Sequence, residues 1–66
     1  MINVEISLYP KGGTAVKRQM TLTEDGYVEL QRLSEEDRKT MVCGLVKFDE
    51  GNIERVEVMI LKETDL

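Results

Sequence analysis

Met41-Val42-Cys43-Gly44-Leu45-Val46-Lys47-Phe48-Asp49-Glu50-Gly51-Asn52-Ile53-Glu54-Arg55-Val56-Glu57-Val58-Met59-Ile60-Leu61 is the stretch on which the fold of this chain turns. Two apolar runs flank Asp49-Glu50-Gly51-Asn52, a tetrapeptide suited to folding a chain back on itself. The first run, Met41 to Val46, is apolar at nearly every position, the pattern of a strand covered on both faces. In the second, Val56, Val58 and Ile60 alternate with Arg55, Glu57 and Met59, the two-residue period of a strand. The stretch predicts a core hairpin.

Just upstream, Ser34 can cap a short helical turn near 34–39, with Asp37 as the acid of a capping box and Glu35 and Glu36 at its positive end. The segment before it reads two ways. Tyr27, Leu30 and Leu33 fall at helical spacing, whereas Val28 and Leu30 fall at strand spacing with Glu29 and Gln31 opposed. A long helix from Tyr27 to Met41 would place Ser34, Asp37 and Arg38 on or beside a stripe that should be apolar, so a strand at Tyr27 to Leu33 is the preferred reading. Asp25-Gly26 then reads as a tight turn before it.

At the N-terminal end, Ile2, Val4, Ile6 and Leu8 alternate with Asn3, Glu5, Ser7 and Tyr9, a strand with one buried face. Pro10 ends it, and Lys11-Gly12-Gly13 supplies the reversal. The return strand, Thr14 to Thr23, puts Val16, Met20 and Leu22 on one face, with Arg18 interrupting that face as an edge-strand arginine. The fold expected from these pieces is mainly β: a small five-stranded antiparallel meander or SH3-like barrel with one short helical turn near 34–39. The alternative is α+β, two hairpins with a helix at about 27–40. Residues 1–61 are expected to form one small domain and 62–66 a frayed tail.

Several activities are excluded by composition. The chain has 66 residues, one cysteine and no histidine. An intrachain disulfide cannot form, and Cys-His or Ser-His-Asp chemistry cannot be assembled. Cys43, in the most apolar run, reads as a packing residue. Gly12-Gly13-Thr14 lacks the pattern of a phosphate loop, and Asp49-Glu50-Gly51-Asn52 lacks the spacing of a calcium loop. No catalytic residue, metal or cofactor is expected, and the chain does not read as an enzyme. With no secretion-signal pattern, no membrane-spanning run and a single thiol, a cytoplasmic location and no membrane partner are expected.

A domain of this size covers its apolar surface poorly, which points to self-association as a homodimer. The function expected is therefore that of a small non-enzymatic interaction or accessory protein working through protein–protein contacts, with itself and with an unidentified protein. Its expected contact surface is the second, apolar face of the 41–61 hairpin: Val42, Val46 and Phe48 with Met59 and Leu61. Two other readings stand beside it. Tyr9, Lys17, Tyr27, Arg32, Arg38 and Lys39 would make a basic and aromatic platform for nucleic acid if they shared one surface. The net charge of -4 opposes that, and all of the acidic excess lies after Leu33. Glu35, Glu36, Asp37, Asp49, Glu50, Glu54 and Glu57 would instead imitate a phosphate backbone, as in a phage-type inhibitor of a nucleic-acid enzyme.

Overall fold

The computed structural model describes residues 1–61; the expected frayed tail, 62–66, lies outside the described residues. Strand β1 (Ile2–Pro10) and strand β2 (Val16–Leu22) form the N-terminal hairpin read from the alternation. Two helices follow, α1 (Glu24–Arg32) and α2 (Glu35–Val46), then a 3₁₀ turn (Glu50–Asn52) and strand β3 (Ile53–Ile60). The sheet is antiparallel with order β2-β1-β3, so the first strand of the chain is its centre. The architecture is α+β. The five-stranded mainly-β meander is corrected on two counts, since 27–32 and 41–46 are helical.

Each correction has a local cause. Thr23 caps α1, its hydroxyl accepting from the Gly26 amide at 3.0 Å, and Glu24 and Asp25 occupy the first turn where a helix favours acids. Glu24-Asp25-Gly26 is therefore a helix start and not a tight turn. Gly26 holds the position where a capping box would carry Glu or Gln, which disguises the signal. Leu30 is buried and Tyr27 and Leu33 pack beside the core, while Val28 is exposed. The helical spacing is the one that burial follows.

Helix α2 starts at Ser34, whose hydroxyl accepts from the Asp37 amide at 3.2 Å. Its inward stripe is Lys39, Val42, Cys43 and Val46, spaced i, i+3, i+4, i+7. The first member is a lysine, and Met41 and Leu45 lie on the opposite side, 44% and 46% exposed. Apolar residues on both sides of a helix read as one continuous run, which is why 41–46 mimics a strand covered on both faces. The helix ends at Lys47 in the left-handed region, φ 61°, with the Phe48 amide donating to the Cys43 carbonyl at 3.0 Å. Gly44 is exposed, and a Cβ added there would meet nothing within 4 Å. Gly44→Ala is expected to stabilise the protein by about 0.5–1 kcal/mol, the helix-propensity difference between the two residues. Thermal unfolding checks this, and a lowered midpoint would contradict a helix at this position.

The turn at Asp49–Asn52 exists but joins a helix to a strand. The Asp49 carboxylate accepts from the Gly51 amide at 3.0 Å and the Asn52 side-chain amide at 3.3 Å. The core lies between the sheet and the helices: Val4, Ile6 and Leu8 from β1, Leu30 from α1, Val42 and Cys43 from α2, and Ile53 from β3. The β3 pattern contains one slip. Tyr9 pairs with Arg55 and Pro10 with Ile53, leaving Glu54 as the extra residue of a bulge. The bulge lets Ile53 turn into the core although Arg55, Glu57 and Met59 face the other way.

Candidate functional site

The central strand is paired on both sides, so β2 and β3 are the two edges of the sheet. On β3 the direction of each backbone group follows from one bond: the Leu61 amide donates to the Asn3 carbonyl at 2.9 Å. With Val4 opposite Ile60, that bond makes Asn3 and Leu61 a hydrogen-bonded pair. Hydrogen-bonded pairs alternate along a ladder, so Arg55, Glu57 and Met59 direct their amides and carbonyls at β1. Val56, Val58 and Ile60 direct theirs outward from the sheet. Beside this free edge runs an open groove of about 390 Å³, walled by β3 from Glu54 to Met59 and by Gln31, Glu35, Glu36, Arg38 and Lys39 of the helices. At its sheet end, Met59 and Ile60 are 59% and 54% exposed.

The expected contact surface is redistributed by the helical assignment of α2. Val42 is in the core, Val46 and Phe48 are half-buried against it, and Leu61 is half-buried at the end of β3. Met59 alone among the five is strongly exposed, and it lies on the opposite face of the sheet. These residues do not form one apolar face, because no strand at 41–46 exists to present it.

The residues of the basic and aromatic platform are also divided. Tyr9 and Lys17 lie on the sheet face away from the helices, whereas Tyr27 and Arg32 belong to α1 and Arg38 and Lys39 to α2. On the open face the charges pair with one another. Lys17 Nζ lies 3.8 Å from Glu5, and Arg55 sits 3.9 Å above the Tyr9 ring and 3.5 Å from Glu57. Tyr9 donates to Glu57, and that hydrogen bond is the main reason its phenol is pushed above the ordinary value. Arg38 is taken up in structure. Its guanidinium donates to the carbonyls of Leu30 at 2.9 Å, Gln31 at 3.3 Å and Leu33 at 2.9 Å, closing the C-terminal end of α1. Arg18, the interrupting arginine of β2, lies over Phe48 at 5.5 Å while remaining exposed.

The acidic residues come from three elements, and Glu35, Glu36, Glu54 and Glu57 share the groove with Arg38, Lys39 and Arg55. Glu35, Glu36 and Asp37 open α2, and Glu50, which follows its other end with Asp49, reaches back along the helix to accept from the Thr40 hydroxyl, itself 3.2 Å from the Glu36 carbonyl. Glu54 and Glu57 lie on β3. Among the described residues no group of three or more histidines, cysteines, aspartates or glutamates is placed to hold a metal ion, and no helix is long and apolar enough to cross a membrane.

Cys43 is buried, and desolvation pushes its thiol above the ordinary value, with the Glu50 carboxylate adding to the rise and Lys39 opposing it. A thiol whose pKa is raised on folding stabilises the native state fully below the unfolded value. Stability is then lost as pH climbs from about 8.5, the unfolded value, through the folded one. Urea unfolding across that range is expected to show the decline, and Cys43→Ala to flatten it. An unchanged slope in the variant would place the titration elsewhere.

No family model, no curated protein and no solved structure matches the chain. The residues that sequence reasoning passed over are the outward-facing trio of β3, Val56, Val58 and Ile60. Their alternation was legible as a strand, but edge position depends on which strands pair, and local sequence carries no record of that.

Proposed function

We propose that this protein is a non-enzymatic interaction module whose sheet edge at β3 receives an extended segment of a protein partner. One observation carries the reading: Val56, Val58 and Ile60 present backbone donors and acceptors to the outside, beside a groove lined by β3 from Glu54 to Met59. An added strand satisfies those groups in the way neighbouring strands of a sheet do, and side-chain positions along the groove supply selectivity. The groove carries both signs of charge, Glu35, Glu36, Glu54 and Glu57 with Arg38, Lys39 and Arg55, which suits a polypeptide better than a uniformly charged polyanion.

Selection of displayed random peptides on the immobilised protein tests this. Bound peptides are expected to be extended and to slow hydrogen exchange at the Val56, Val58 and Ile60 amides. Ligands that protect only helix amides, or shift only residues of the open sheet face, would move the function to another surface.

A further inference from the structure

We infer that one occupant of the β3 edge is a second copy of this chain, paired antiparallel with its own β3 about a two-fold axis through Val58. The inference rests on the interaction reading of that edge and goes further by assigning the partner and the register. Two edges can join only if outward-facing residues meet outward-facing residues, because only these have free amides and carbonyls. On β3 they are Val56, Val58 and Ile60, which leaves two-fold axes at Val56, Glu57, Val58, Met59 and Ile60.

An axis at Val56 runs each strand into the Glu54 bulge of the other, where the ladder is already broken. An axis at Glu57 sets that carboxylate directly against its own copy, a destabilising like-charge pair. An axis at Met59 or Ile60 pairs only 57–61 or 59–61 of the described residues, a shorter ladder than the 55–61 paired about Val58. The axis at Val58 escapes all of these drawbacks. It uses the regular part of the strand, places Val56 opposite Ile60 and Val58 opposite Val58, and so matches β-branched residues on the helix-covered side. On the other face it sets Glu57 beside Met59 of the second copy and leaves the Arg55–Glu57 ion pair intact. Ile60, 54% exposed in the single chain, is then covered. The axis stands perpendicular to the sheet, giving a six-stranded sheet with all four helices on one side.

The size of the contact sets its strength. Seven residues from Arg55 to Leu61, at about 3.4 Å each, make a seam roughly 24 Å long. A seam of that length belongs with interfaces below about 1,200 Å² in total, the class of weak and transient contacts. The association is accordingly reversible and concentration-dependent.

Sedimentation velocity over a wide concentration range tests it, together with NMR on a mixture of isotope-labelled and unlabelled full-length chains. Expected are a rise in mass towards the dimer and an inter-chain contact between the α-protons of Glu57 and Met59, the close pair of this register. Ile60→Lys, at an exposed position, is expected to keep the circular dichroism and melting of the dilute protein while abolishing the mass increase. A monomer at every concentration, a dimer lacking that contact, or self-association undiminished in Ile60→Lys would each overturn the inference. If the chain stays monomeric while displayed peptides still protect the β3 amides, self-pairing falls and the interaction reading stands. If neither binds there, both fall.

Discussion

Ile6→Ala is expected to remove about 2–5 kcal/mol, a large share of the protein's stability. Ile6 is fully buried at the middle of the central strand, with Arg18 opposite it on β2 and Val58 on β3. Truncating such a side chain removes transfer free energy and leaves a cavity, about 2–5 kcal/mol together. Domains hold roughly 0.05–0.15 kcal/mol of stability per residue, which for 66 residues is about 3–10 kcal/mol. The loss is comparable with the whole. Urea titration of dilute protein followed by far-UV circular dichroism gives the answer, and Ile60→Ala provides the control. Ile60 has the same alternation and side chain but is half exposed, so its truncation is expected to stay within about 0.5 kcal/mol of wild type. Equal losses at the two positions would mean that β1 is not the centre of the sheet.

Arg38→Met is the second large effect, expected to cost about 2–4 kcal/mol. Its fork holds three carbonyls at the end of α1, and two of those bonds, to Leu30 and Leu33, are partly buried. Hydrogen bonds from a charged donor contribute about 1.5–3 kcal/mol each at most, and removing the donor leaves the Leu30 carbonyl with only the Leu33 amide at 3.3 Å. Methionine keeps the apolar stem and removes the fork, so the loss reports on the bonds and not on packing. Arg38→Lys is expected to recover only part of the stability, because an ammonium group cannot reach three divergent carbonyls as a planar guanidinium does. Denaturant midpoints of the three proteins decide it. A lysine variant as stable as wild type would reduce the role of Arg38 to charge near a helix end.

Arg38 also shows how a candidate site is misread from sequence. As one of several cations after residue 31 it looks available to a polyanion, yet the short link from α1 to α2 puts it beside the carbonyls at the C-terminal end of α1. Lys39 is similar: it begins the inward stripe of α2 and lies 3.9 Å from Glu36. Charge counts survive folding, whereas availability does not. The reverse holds for Ile60, which reads as an ordinary inward residue of a strand and ends up exposed at an edge.

What the sequence determined by itself is local. The two-residue period over 2–9 makes β1, Gly12 takes the left-handed conformation, φ 70°, that the first reversal needs, Ser34 caps a helix, and the alternation over 55–60 makes β3. Each depends on residues within a few positions of one another, where side-chain period and backbone sterics act directly. Only the tertiary structure decided that Met41 to Val46 is a helix, since burial selected Val42 and Cys43 and left Met41 and Leu45 outside. It alone decided that β1 lies between β2 and β3, leaving the Val56, Val58 and Ile60 backbone without a neighbouring strand among the described residues. Pairing order joins residues more than forty positions apart, and no local period encodes it.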